Sequence, residues 1–169
     1  MCIKLSTPLS EEAVSSLKVG DKVLLSGKIY CGRDAVLPKI AAMSEDEIFE
    51  LLGKKLDGDV IFHTAVSPAG IGPTSSNKAE IEESIERLSQ LGVRLHLGKG
   101  ALHAETITAL HKYNSVYAVI PPVTALLGEK TKQQRVVAYP ELGMEALHLL
   151  EIDEFPIIIA AAGGRSIYE

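Results

Sequence analysis

The sequence predicts a mixed α/β fold. Apolar runs of strand length alternate with amphipathic stretches of helical period from Lys22 to Ala161. The runs are rich in Val, Ile, Leu and Tyr, and Gly, Pro, Ser, Asp or Asn punctuate the junctions between them. At 169 residues the chain has single-domain length and can bury roughly 70% of its unfolded surface in one core. No internal repeat, low-complexity segment or linker divides it, so residues 1–169 read as one domain.

Taken in order, a polar start leads to Leu17-Lys-Val-Gly-Asp21, a turn into the strand Lys22–Tyr30, where Val23, Leu25 and Ile29 mark a largely buried element. From Asp34 the pattern is helical. Ser44-Glu-Asp-Glu47 is a capping box, in which hydroxyl and carboxylate each satisfy the other's orphan backbone N–H, and it restarts a helix running to about Lys55. Strands follow at Val60–Thr64, Val93–Leu97, Ser115–Ile120, Arg135–Tyr139 and Ile157–Ala161. Helices around 75–91, 101–113, 122–128 and 141–150 alternate with them. In the first of these, Ile81, Ile85, Leu88 and Leu91 form one apolar stripe, leaving Glu80, Glu82, Glu83, Glu86 and Arg87 to the solvent side. Pro121-Pro122 ends a strand.

A formal charge of −5, with neither a basic run nor interleaved aromatics, argues against a nucleic-acid partner. The amino terminus lacks a signal-peptide apolar core, and the apolar stretch Pro156–Ala162 is far too short for a membrane span, so a cytoplasmic protein with no membrane partner is expected. Cys2 and Cys31 are too few for a disulfide framework or for all-cysteine ligation of an iron–sulfur centre. No His or Lys pattern marks Cys31 as activated, and it reads as a small buried hydrophobe. His63, His96, His103, His111 and His148 show no zinc-ligand spacing, so no metal site is expected on this chain.

Chemistry is expected at Gly70-Ile-Gly-Pro-Thr-Ser-Ser-Asn-Lys78, where an irregular loop leads into a helix. Backbone N–H groups at a helix start lack intrahelical partners, and the macrodipole favours an anion there, so a carboxylate or phosphate suits the position. Thr74 or Ser75 could equally serve as the N-cap. The loop is not a nucleotide-hydrolysis loop, because Asn77 precedes the lysine where glycine is required and neither Ser nor Thr follows it. The segment Asp59–Thr64 brings His63 and Thr64 to the same end of the sheet. Arg33 and Lys99, beside Gly32 and between Gly98 and Gly100, also lie at strand-to-helix junctions. With Lys78 they would line a pocket for a small dicarboxylate.

Five motifs carry a family resemblance: Leu25-Ser-Gly-Lys-Ile-Tyr-Cys-Gly-Arg-Asp34, Gly72-Pro-Thr-Ser-Ser76, Leu97-Gly-Lys-Gly100, Tyr139-Pro-Glu-Leu-Gly-Met-Glu-Ala146 and Asp153-Glu-Phe-Pro156. In order and spacing they resemble the beta subunit of two-subunit class I fumarases, the carboxy-terminal domain of single-chain class I fumarases and the beta subunit of L-tartrate dehydratase. The resemblance implies a swivelling β/β/α domain with a mixed sheet and flanking helices. It implies an iron–sulfur hydro-lyase, most readily fumarate hydratase, with tartrate dehydratase the alternative within the class and a non-catalytic anion-binding module the alternative outside it. It also implies a 4Fe-4S cluster held by a separate alpha subunit, a hetero-oligomer, and activity only in the assembled pair. By motif position Thr74 matches the base, Arg33 a carboxylate-gripping arginine and Lys99 a lysine at the other end of the substrate, while Ser75 and Lys78 complete the binding loop. Lys78 stands where the family commonly has arginine, which replaces a two-pronged clamp by a point charge. Ile120-Pro-Pro-Val-Thr-Ala likewise stands where a Gly-Gly stretch is common.

Overall fold

The computed structural model describes residues 2–67, 70–74, 78–120 and 131–168. Its strands are β1 (Cys2–Ser6), β2 (Lys22–Cys31), β3 (Val60–Phe62), β4 (Thr64–Ser67), β5 (Gly70–Thr74), β6 (Leu95–Gly98), β7 (Val116–Val119), β8 (Thr131–Ala138), β9 (Leu147–Ala162) and β10 (Arg165–Ser166). The helices are α1 (Glu11–Ser15), α2 (Leu37–Ala41), α3 (Glu45–Leu52), α4 (Lys78–Gln90) and α5 (Ala104–Lys112), with a 3-10 turn at Pro140–Glu145.

The sheet is mixed, as expected. β1, β2, β3, β6 and β7 run parallel in that order, and β9 is antiparallel to β7, β8 and β2. Because β9 pairs with both β7 and β2, the path β2-β3-β6-β7-β9 returns to its start and forms a closed ring. Antiparallel β4 and β5 make a separate hairpin. Parallel neighbours cannot be joined by tight turns, so the connections β2 to β3, β3 to β6 and β6 to β7 carry α2 with α3, the hairpin with α4, and α5.

Alternation along the ring strands divides the core. Cys31, Phe62, Leu97, Ala118 and Ile159 pack with the residues inside the ring, where the Phe62 and Phe155 rings meet edge to face at 6.2 Å. Their neighbours point outward. Tyr30 and Ile61 join Ile40, Ile48 and Leu88 of α2, α3 and α4, and Tyr117 and Ala160 join Ile107 and Leu110 of α5.

The capping box forms as read: Ser44 Oγ accepts from Glu47 N at 3.2 Å, and Glu47 Oε1 accepts from Ser44 N at 3.3 Å. Several elements differ from the sequence reading. The polar start is the edge strand β1, whose Ile3 and Leu5 are only half-buried and which forms by pairing with β2. The irregular loop at 70–78 contains strand β5, formed by pairing with β4 rather than by local propensity. The segment Val60–Thr64 breaks at His63 into β3 and β4. No helix forms over 141–150. Gly143, at φ 59 and ψ −122, kinks the 3-10 turn, and Leu147 enters β9, which takes in the expected strand at 157–161 as its final part. Of the α4 residues assigned to solvent, Arg87 reaches across to donate to the Ala41 and Met43 carbonyls, both at 3.1 Å. The helix read at 122–128 and Pro121-Pro122 lie outside the described residues.

Candidate active site

Three parallel strands end in one row. Cys31 of β2, Phe62 of β3 and Leu97 of β6 are successive register partners. Two positions beyond that row in each chain segment stand Arg33, Thr64 and Lys99. Neighbouring strands lie about 4.8 Å apart, so the ends of β2 and β6 are separated by roughly 10 Å. Thr64 is fully buried and is the register partner of Thr74, so the β4–β5 hairpin carries Thr74 back toward the same row. Thr74 is the last residue of β5, and the described part of α4 starts at Lys78. Ser75 lies outside the described residues.

Each of the two cations that end a ring strand follows a glycine that cannot be replaced freely. A Cβ on Gly32 would come within 2.7 Å of Val36 Cγ1 and 3.0 Å of Leu37 Cδ2, so glycine lets the chain fold tightly into α2 just as Arg33 leaves the sheet. The Arg33 carbonyl accepts from Val36 N and Leu37 N at 3.2 and 3.0 Å, which begins that turn. A Cβ on Gly98 would meet Tyr117 Oη at 3.0 Å. That hydroxyl donates to the Gly100 carbonyl at 3.1 Å and braces the turn carrying the exposed Lys99. Burial pushes the Tyr117 phenol well above its ordinary pKa, so it stays a proton donor here.

Arg33 has a carboxylate beside it that the sequence reading did not single out. Its Nε lies 3.4 Å from Glu145 Oε1, with side-chain exposures of 25% and 34%. Glu145 closes the 3-10 turn, which packs against β4. It was hidden inside the Tyr139–Ala146 motif because that stretch read as helix.

Behind the row is a buried polar chain. His63 Nε2 and His96 Nδ1 are 3.2 Å apart and share one proton, and His96 Nε2 is 3.0 Å from Ser89 Oγ of α4. All three residues are buried. Burial lowers the pKa of His63 to about 3 and that of His96 well below the ordinary value, so both rings are neutral at physiological pH. His63 Nδ1 has no hydrogen-bond partner among the described residues. The sequence delivered His63 to the sheet end, but nothing in its spacing linked it to His96. His103 instead pairs with Glu82 at the surface, and His148 is buried with Nδ1 3.0 Å from the Ala146 carbonyl.

A cleft of about 680 Å³ opens away from this row, lined in part by Lys28, Lys54 and Arg135 against Asp57, Asp59 and Glu151. Its positive and negative side chains balance, which gives no net attraction for a dianion, and Lys54 already pairs with the buried Asp59. The sheet-end row is the better candidate.

The cysteines do not form a metal centre. Cys2 is the register partner of Lys22 at the start of β2, whereas Cys31 ends that strand, a separation of roughly 30 Å along an extended chain. Cys31 is fully buried, and burial pushes its thiol pKa up. Among the described residues no group of three His, Cys, Asp or Glu side chains converges. A 4Fe-4S cluster therefore does not fit the cysteines of this chain.

The model of the family described as Fumarase C-terminus matches residues 1–169. The chain belongs to the Fumarase C-terminus family. Relatives of this family member include a putative L(+)-tartrate dehydratase subunit beta of Methanocaldococcus jannaschii, 35% identical over 95% of this chain and 88% of the relative. The L(+)-tartrate dehydratase subunit beta of Escherichia coli is 28% identical over 92% of this chain and 81% of the relative. An anaerobic class I fumarate hydratase of E. coli is 28% identical over 93% of this chain but only 30% of its own length. Family members of this kind thus occur both as separate beta subunits and as part of longer chains.

Proposed function

We propose that this family member is the beta subunit of an iron–sulfur-dependent hydro-lyase that interconverts fumarate and malate. The observation that supports the proposal is the register row, in which β2 and β6 end roughly 10 Å apart on either side of β3, with Arg33 and Lys99 in the segments that follow those ends and the Thr64–Thr74 pair following β3. That span suits a four-carbon dicarboxylate held at both ends, with the threonine hairpin beside its central carbons.

Hydration and dehydration of such a substrate move one carbon-bound proton and stabilise negative charge that spreads toward a carboxylate. In this reading Arg33 and Lys99 hold the two carboxylates, and Lys78 and Ser75 extend the binding loop at the start of α4, where the helix N-terminus also favours an anion. Thr74 transfers the proton. A free alcohol is a very weak base, so its hydroxyl must be activated within the assembled site. The cluster belongs to an alpha subunit, because this chain's cysteines stand too far apart to share one. The enzyme works as a hetero-oligomer in the cytoplasm.

A second reading within the same class is L(+)-tartrate dehydratase. It is favoured by the beta-subunit relatives, which match this chain over most of their own length. Co-expression with a cysteine-bearing alpha subunit, anaerobic reconstitution and assays on fumarate, malate and both tartrates test the proposal. Turnover of fumarate and malate supports it, and turnover of L(+)-tartrate alone replaces it with the second reading. Dicarboxylate binding without turnover of any of these substrates identifies an anion-binding module instead.

A further inference from the structure

We infer that Glu145 is the positioning residue of Arg33, holding the guanidinium from its Nε side so that a substrate carboxylate is taken from the Nη side. The inference deepens the reading of Arg33 as a carboxylate anchor and rests on it.

The two residues come from segments far apart in the chain. Arg33 follows β2, and Glu145 ends the turn between β8 and β9. An exposed ion pair between such segments would contribute little, because water competes for both partners and two long side chains lose freedom. This pair is different. Arg33 Nε and Glu145 Oε2 are each shielded from water, and Oε2 has no hydrogen-bond partner among the described residues. At 3.4 Å the Nε–Oε1 contact is longer than a well-formed charge-assisted hydrogen bond. The two side chains are held together as an ion pair. Separating the pair would leave two charged groups partly buried without each other, which is strongly unfavourable. Glu145 is therefore a standing partner of Arg33 and not a competitor that departs when substrate arrives.

The backbone beneath Glu145 supports the role. Tyr139 enters the turn at φ 55, Gly143 reverses the chain at φ 59, and Ala146 N donates to the Gly143 carbonyl at 3.1 Å. Leu147 then pairs with Ala138 across β8 and β9. Glu145 is thus fixed on both sides, in a turn that also packs against β4, the first strand of the hairpin bearing Thr74. One carboxylate aims the cation, while its turn supports the hairpin.

The test uses the assembled enzyme and the full chain. E145A is expected to raise KM for the dicarboxylate by about tenfold or more with a smaller change in kcat, and E145Q, which keeps an acceptor, to stay within about threefold of wild type. In the full chain labelled with 15N-arginine, the Arg33 Nε–H signal is expected to be protected from solvent exchange in wild type and E145Q and unprotected in E145A. R33A provides the reference. If R33A binds and turns over substrate normally, the anchor reading fails and this inference falls with it. If R33A is impaired while E145A keeps wild-type KM, Glu145 does not position Arg33, whatever E145A does to thermal stability. Should E145A not fold, E145D withdraws the carboxylate by one methylene, and a raised KM supports the inference while a wild-type KM overturns it.

Discussion

Thr64 and Thr74 are register partners across the β4–β5 hairpin, so a fully buried threonine that opens β4 sets the backbone position of the threonine proposed to move a proton. Thr74→Val, which keeps shape and removes the hydroxyl, is expected to lower kcat of the assembled enzyme at least ~10²-fold. Its thermal unfolding is expected to stay close to wild type. Near-normal turnover would remove Thr74 from the chemistry.

The three cations separate by geometry. Arg33→Lys replaces a planar fork by a point charge and is expected to reduce kcat/KM markedly, and Lys99→Ala to weaken binding from the other end of the row. Lys78→Arg is expected to be tolerated and to improve fumarate turnover relative to tartrate. Steady-state kinetics of the single variants on both substrates checks all three, and unchanged constants for Arg33→Ala and Lys99→Ala would leave these residues as solvated surface.

The buried His63–His96 pair predicts acid sensitivity. In the folded chain the pKa of His63 is near 3, lowered by burial, whereas in the unfolded chain it returns toward its ordinary 6.5. Above pH 6.5 neither state binds the proton and nothing is lost. Below it the unfolded chain takes up a proton that the folded chain refuses, so stability falls as pH drops from about 6.5 toward 3. Each such imidazole contributes a slope of up to about 1.4 kcal/mol per pH unit. Urea unfolding at intervals between pH 7 and 5, above the ordinary carboxylate range, measures this slope. His63→Asn is expected to flatten it, and an equally steep slope in that variant would assign the effect elsewhere.

Gly32→Ala probes the tight exit from β2. The added methyl meets the stiff, fully buried side chain of Val36, and overpacking of this kind costs about 1–3 kcal/mol. Chemical denaturation is expected to show that loss, together with reduced kcat/KM because Arg33 shifts with the turn. Gly53→Ala, at a positive φ but with open space around its Cβ, serves as a backbone control without the clash.

The chain by itself is expected to unfold cooperatively and to show neither cluster absorbance after anaerobic treatment with iron and sulfide nor dehydratase activity. Both are expected only with an alpha partner, across a contact burying on the order of 1,200 Å² or more. Activity from the isolated polypeptide, with no second subunit detectable by mass spectrometry, would overturn the shared-site reading.

Much of this arrangement was legible in the sequence, for reasons that can be located. The β2 strand, the Ser44 capping box and the apolar positions Ile85 and Leu88 of α4 are local signals, set by period or by groups three residues apart. The strand ends at Gly32-Arg33 and Gly98-Lys99 were visible because glycine marks a close approach. What escaped depends on distant partners. Strand β5 exists through its pairing with β4, and Leu147–Ile152 become strand because β2 and β8 lie on either side of them. The partnerships of Glu145 with Arg33 and of His96 with His63 join residues whose sequence spacing carries no shared period.

Strand β9 has one further consequence, which concerns biosynthesis. Its 16 residues seal the ring against β2 and β7, and it is the last of the five ring strands to be translated. Until residues 147–162 have cleared the ribosome, the second edge of β2 and the outer edge of β7 present unpaired backbone to whatever strand is nearby. The parallel strands must therefore wait as an unfinished sheet while the whole candidate site, Arg33 to Lys99, has already been synthesised. Accelerating the final segment or shielding those two edges protects the nascent chain, and a message truncated before Leu147 yields an aggregation-prone product with every catalytic candidate present and no closed ring to carry them.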